Sequence, residues 1–211
     1  MPLNILLQDL SVISGFFPVV AALVFYRRLN KPLKLVTWYF IISVIFDCFS
    51  WVASSQFREK NTMPIFHFYI MFSVIVMGLL YYNIYIKSYL KILGFILSAS
   101  TLAIVLFYAK NILEYPSVSV TSLSVLLIAL SLIYFFELLN PLEFVHIEKQ
   151  GLFWINAGVL FYSAVNIFLF MLLNQIPKKD IADYYMIHSV TNIIANILYS
   201  IGLLCKPQKT S

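Results

Sequence analysis

Charge is scarce in this chain. Asp, Glu, Lys and Arg make up 11% of its 211 residues, where a soluble domain carries about a quarter. A water-facing surface cannot be built from so little, so an ordinary soluble domain is excluded. Histidine is scarcer still. His67, His146 and His188 are all there are, too few to suggest a hydrolytic zinc site with its three protein ligands and a water. The last apolar run has no lysine before Lys206, which removes the retinal Schiff base of a microbial rhodopsin. Six glycines form no phosphate loop, and no haem or kinase motif is present. Serines are so widespread that none stands out as the nucleophile of a triad. Neither rings of charge nor a filter-like segment suggests a multi-ion channel. The two cysteines, Cys48 and Cys205, fall at different depths of different spans, so they cannot pair.

What is present is apolar. Hydrophobic residues are 62% and the mean hydropathy is +0.90. Seven runs approach the roughly 20 residues that a helix needs to cross a bilayer core of about 30 Å. They cover about residues 5–26, 35–55, 63–86, 91–110, 116–139, 151–173 and 182–205. Spanning strands would alternate in segments of about ten residues, and backbone polar groups in lipid must be satisfied within the segment. The expected fold is therefore an all-α integral membrane protein, a single seven-helix domain filling residues 1–211. The first run has no basic residues before it and is too long for the core of a cleaved leader, so it is read as a span. Pro18, three residues after Gly15, predicts a kink in it.

Lys and Arg in the short loops give the orientation. One side carries Arg27, Arg28, Lys31, Lys34, Lys87, Lys91, Lys149, Lys206 and Lys209; the other carries Arg58, Lys60, Lys110, Lys178 and Lys179. Nine against five predicts the N-terminus outside and the C-terminus in the cytoplasm, most simply in the plasma (inner) membrane. The net charge of +5 is divided between two faces, which argues against nucleic acid as a partner.

Polar residues in the spans fall at helical spacing. His188, Asn192, Asn196 and Tyr199 share one face of the seventh span, and Ser43, Asp47, Ser50 and Ser54 one face of the second. Asn156, Ser163, Asn166 and Asn174 share a broad face of the sixth; Ser117, Thr121, Ser124 and Ser131 share one of the fifth. Such stripes face other helices or a wet cavity. For the fifth span, close packing is the simpler reading. Asp47 differs, since a carboxylate in lipid is costly unless paired or hydrated. It lies about 20 Å from the basic side, and His188 about 9 Å in from the other. His67 and Asp9 lie towards that same side, whereas Glu137 sits near the opposite end of the fifth span and reads as an interface residue. Tyrosines near span ends, Tyr81, Tyr82, Tyr85, Tyr108, Tyr115, Tyr184 and Tyr185, read as an interfacial belt. These placements predict an outward-facing polar pocket. Asp47 and His188 are its charged partners, and Asn192, Asn196, Tyr199, Asn166 and His67 are further candidate ligand-binding residues. No metal or cofactor is expected.

Short echoes suggest a repeat. Leu29-Asn30-Lys31-Pro32-Leu33 precedes a helix with Trp38, and Leu139-Asn140-Pro141-Leu142 precedes one with Trp154. Three helices, a linker helix and three more would result, an architecture that resembles the SWEET sugar transporters and the KDEL receptor. The Pro-Gln signature of that group is absent: Pro18 is followed by Val19. Lys31-Pro32-Leu33 and Gly158-Val159-Leu160-Phe161-Tyr162-Ser163-Ala164-Val165-Asn166 also resemble segments of the lysoplasmalogenase-like (YhhN) membrane family. That resemblance implies a lipid hydrolase of usually eight spans. Asn166 stands where the family's acidic residue would be, which puts the activity in doubt. The expected function is a receptor, sensor or carrier for a small polar or amphiphilic ligand, with membrane lipid around it and a membrane-protein partner if it signals. The alternatives are an intramembrane lipid-processing enzyme and an accessory membrane subunit.

Overall fold

Eight α-helices build seven spans in a computed structural model that describes residues 3–56, 62–109, 111–140, 146–172 and 181–205, without the side chains of 51, 53–56, 172, 181 and 182. They are α1 (Leu3–Ser14), α2 (Phe16–Phe25), α3 (Lys31–Gln56), α4 (Met63–Ile84), α5 (Ser88–Tyr108), α6 (Ser117–Leu139), α7 (Gly151–Leu172) and α8 (Ile181–Leu204). No strand occurs among the described residues. Seven stretches, the first comprising α1 and α2 together, are long and apolar enough to cross a membrane. The chain is thus an all-helical protein of seven candidate spans. The loop cations Arg58, Lys60, Lys110, Lys178 and Lys179, the terminal Lys206 and Lys209, Pro141, Leu142, Asn174 and the side chain of Ser54 lie outside the described residues.

The helix boundaries have local causes. The first span breaks at Gly15, whose N–H donates to the Val12 carbonyl at 3.2 Å. Pro18 cannot donate to the carbonyl of Ser14 and its ring crowds that turn, so the expected kink becomes an interruption between α1 and α2. α3 starts four residues earlier than the hydropathy suggests. Asn30 accepts from the Leu33 N–H at 3.1 Å, a side-chain cap for an otherwise unpaired donor. Pro32 has the backbone angle that a first helical turn needs. Pro64 plays the same part at the start of α4.

Consecutive spans are neighbours: α2 packs on α3, α3 on α4, and so on to α7 on α8. α1 and α2 both pack on α8 and close the ring, and α4 also touches α6 across it. The bundle has two unlike halves. The basic end, holding the start of α3 and the end of α8, is a filled core of Leu33, Val36, Tyr81, Tyr85, Leu130, Ile155 and Leu203. Tyr81 joins three helices there: its hydroxyl donates to Asn156 Oδ1 at 2.6 Å and lies 2.9 Å from Ser131 Oγ. The Tyr85 hydroxyl donates to the Leu130 carbonyl at 2.8 Å. These two tyrosines are core residues rather than belt residues, because buried hydroxyls with fixed acceptors stabilise helix contacts in lipid. Tyr81→Phe is expected to cost about 1–2 kcal/mol by leaving the Asn156 and Ser131 groups short of a partner. Unfolding of the purified protein in detergent, compared with the parent, checks it.

Glu137 departs from the expectation of an interface side chain. It is buried and accepts from the backbone N–H groups of Ile86 and Lys87, at 3.1 and 2.8 Å from Oε1. It thereby clamps the turn between α4 and α5 to the end of α6. Around it, cations rest on aromatic faces: Lys34 on Tyr26, Lys87 on Tyr89, Lys91 on Tyr82 and Arg28 on Phe25, at 5.4 to 5.9 Å from the ring centroids. Tyr82 and Tyr89 are exposed, and rings so placed form a belt at this end.

Candidate functional site

The half of the bundle away from the basic end is hollow. A cavity of about 460 Å³, within the range of small-molecule sites, lies between α3, α4, α6, α7 and α8. The second half of α3, the last turn of α7 and the first turns of α4 and α8 border it, through Ser50, Phe170, Met63 and Tyr184. Its floor is formed by Phe40, Met77, Leu127, Val159 and Tyr199. Tyr199 can lie flat there because position 158 is glycine: a Cβ at Gly158 would come 2.5 Å from the tyrosine ring. Phe40 packs on the other side of Tyr199, with ring centroids 4.8 Å apart.

α3 supplies a polar row to the wall. Tyr39, Ser43 and Asp47 follow one another at four-residue spacing and all line the cavity. The Tyr39 and Tyr69 hydroxyls are 3.2 Å apart, and Ser43 Oγ is 3.4 Å from the Tyr69 hydroxyl. Asp47 is one turn beyond Ser43. It is exposed, and no hydrogen bond or ion pair to it forms among the described residues. Tyr69 and Tyr162 line the same cavity.

α8 supplies the facing row. His188, Asn192, Asn196 and Tyr199 all line the cavity. Asn192 Nδ2 donates to Ser11 Oγ and Asn196 Nδ2 to Ser14 Oγ, each at 2.9 Å. The two asparagines therefore hold α1 against α8 as well as bordering the cavity. Their Oδ1 atoms have no partner among the described residues and are not sealed off. The break at Gly15 lets the serine face of α1 meet them.

His188 is oriented from behind. Its Nδ1 is 2.9 Å from Asn166 Oδ1, and Asn166 Nδ2 donates to the Tyr162 carbonyl at 2.9 Å. With the amide fixed that way, Oδ1 is the acceptor, so Nδ1 carries the proton. Nε2 then presents a lone pair, with no hydrogen bond among the described residues. The ring sits between Tyr162 and Phe170, at centroid distances of 5.9 and 5.6 Å. Asn166 is fully buried and does not reach the cavity surface. It acts as a positioning residue for His188.

The expected pairing of Asp47 with His188 does not form. Both line the same cavity, yet their charged atoms are more than 4.0 Å apart. They face each other across the space from α3 and α8. His67 stands apart. It is buried, its Nε2 is 3.2 Å from the Glu114 carbonyl, and it borders a separate recess beside the turn before α6. Asp9 is exposed on α1. His146 and Glu148, 3.0 Å apart, form the one ion pair among the described residues, and neither lines the cavity. The Glu148 carboxyl is held below its usual range, first by its own backbone N–H and then by His146.

Tyrosines are what the helical spacing of polar residues missed. Tyr39, Tyr69, Tyr115, Tyr162, Tyr184 and Tyr185 line the cavity besides Tyr199. A signal existed for two of them: Tyr39 is four residues before Ser43, and Tyr162 four before Asn166, so each extends a stripe by one turn. Tyr115, Tyr184 and Tyr185 sit at span ends, where belt and cavity residues look alike in sequence. Of the fifth-span stripe, Ser124 borders the cavity, whereas Ser131 meets Tyr81 and Ser117 Oγ donates to the Phe170 carbonyl at 3.1 Å. No group of His, Cys, Asp and Glu suited to a metal occurs among the described residues. Comparison of the chain with protein-family models, with curated proteins and with solved structures finds no match.

Proposed function

We propose that this chain is a membrane-embedded binding protein, a receptor or sensor, for a small polar or amphiphilic ligand held in the cavity between α3 and α8. One observation carries the reading: a hollow of ligand size has two facing polar rows whose free atoms, the Asp47 carboxylate, His188 Nε2 and the Asn192 and Asn196 carbonyls, have no partners among the described residues. Pure packing would have paired or filled them. The cavity faces outwards if the basic end is cytoplasmic, with the N-terminus outside and the protein in the plasma (inner) membrane. The cluster of cations on aromatic rings at the basic end supports that orientation.

A carrier would need a route through the other half, where the Tyr81 network and the surrounding core leave none; this favours a receptor or sensor. A receptor of this kind would pass its signal to a membrane-protein partner. A lipid-processing enzyme with an Asp47–His188 acid–base pair would need the two groups in hydrogen-bond reach, directly or through one water, and at more than 4.0 Å they make no direct contact. The test is mass spectrometry of small molecules and lipids that co-purify with the parent and with the Asp47→Asn, His188→Ala double variant. A species retained by the parent and lost from the folded variant is the expected result. Bulk lipid alone on both would overturn the proposal.

A further inference from the structure

We infer that the ligand is an organic cation, an amine or quaternary ammonium group on an apolar body, with its head between Asp47 and the tyrosine faces. This rests on the binding reading above and names the chemistry of the same site. The charge pattern is one-signed. Asp47 is the only carboxylate lining the cavity, and neither lysine nor arginine lines it among the described residues. Among the described lining residues an anion would meet a carboxylate and no fixed positive charge. A neutral ligand would leave the Asp47 carboxylate without a counter-charge among the described residues, and a carboxylate in lipid is costly without a partner. Among the described residues no side chain pairs with it, and a cationic ligand head would supply that counter-charge.

The rest of the lining decides which kind of cation. A metal ion of the calcium or magnesium type takes six or more oxygen ligands, usually with several carboxylates, and one carboxylate among aromatic rings does not provide them. Aromatic faces suit a large, weakly hydrated cation instead, since the ring quadrupole attracts it without a shell of oxygens. Tyr69 and Tyr162 line the same cavity as the carboxylate, and Phe46 packs edge-on against Tyr69 at 5.5 Å. Below them the wall turns apolar towards Met77, Leu127 and Val159, where a short hydrocarbon body fits. His188, with Nδ1–H committed to Asn166, offers only an acceptor at Nε2, which suits an ammonium N–H or hydroxyl and repels an anion.

The experiment is calorimetric titration of the full chain in dodecyl maltoside with matched hexyl probes: hexyltrimethylammonium, hexylglycerol and hexanesulfonate. The expected result is that the ammonium probe binds at least about tenfold more tightly than either other. Asp47→Asn is expected to remove that preference while hexylglycerol binding is kept, and Asp47→Glu to retain it. Equal binding of hexylglycerol, tighter binding of the sulfonate, or an ammonium preference that survives Asp47→Asn would overturn the cation assignment and leave the cavity reading standing. Ser43→Trp, which fills the hollow beside Tyr69, separates the two readings. If all binding persists unchanged in it, or if no probe binds the parent, both fall.

Discussion

Gly151→Val is expected to lower stability by about 3 kcal/mol and the melting midpoint in detergent by about 10 °C. α7 and α8 cross at the basic end with their backbones almost touching. A Cβ at Gly151 would come 2.3 Å from the Gly202 carbonyl oxygen, and a Cβ at Gly202 would come 2.6 Å from that of Gly151. Both obstacles are backbone, which cannot rotate away as a side chain can. Even a methyl group must push the helices apart, and valine more so. Helix association in lipid depends on such close approach, because lipid tails are as apolar as the side chains they replace. The same crossing sets how far α8 stands from α7 higher up, where His188 meets Asn166. Gly151→Val is therefore expected to weaken ligand binding as well as stability. Gly78→Ala provides the control: its neighbour is the Ser98 side chain, 2.8 Å away, and a smaller drop should follow. Thermal unfolding of both variants beside the parent checks this, and a melting point unchanged in Gly151→Val would show that the crossing is looser than described.

Glu137→Ala is expected to cost about 2–4 kcal/mol, and Glu137→Gln about half of that. The carboxylate accepts from two backbone N–H groups in a turn that otherwise has no cap: the N-cap Lys87 of α5 makes no side-chain cap bond. Bonds from N–H to a charged acceptor are stronger than those to a neutral one. Glutamine keeps one oxygen acceptor and loses the charge, hence the smaller effect. Alanine frees the turn between α4 and α5. Amide hydrogen exchange at Ile86 and Lys87 is the measurement, with faster exchange in Glu137→Ala expected at these two sites before any global unfolding. Exchange as slow as in the parent would mean that the clamp does not restrain the turn. The cavity is at the other end of α4, so ligand affinity should move little.

Much of this protein was legible before any coordinates. Scarce charge and seven long apolar runs leave helices in a bilayer as the only economical solution for the backbone, and each run corresponds to a helical stretch long and apolar enough to cross a membrane. The stripes on α3 and α8 came from four-residue spacing alone, since residues one turn apart must share a face. The interruption near Pro18 follows from a missing N–H. Even the early start of α3 was readable in Asn30 and Pro32, where cap chemistry outweighs hydropathy.

Other features needed the tertiary structure, because they depend on which helices meet. Spacing cannot say whether a polar face looks into a hollow or onto a neighbour. Asn192 and Asn196 do both, as only the packing of α1 on α8 reveals. Nor can it tell a belt tyrosine from a core one: Tyr81 and Tyr82 are adjacent in sequence, yet one is sealed among three helices and the other exposed, a consequence of a hundred-degree turn per residue. Asp47 and His188 were legible as ionisable groups towards one side. That they stand across a cavity rather than in contact was settled by the distance between α3 and α8. His67, of the same type as His188 and towards the same side but shallower, belongs to another recess because α4 turns it towards the Glu114 carbonyl. Sequence determined the solvent, the spans and the faces of this protein, which local periodicity encodes. Tertiary structure decided the hollow and, among the described residues, the one carboxylate that lines it without a partner, which exist only between helices distant in the chain.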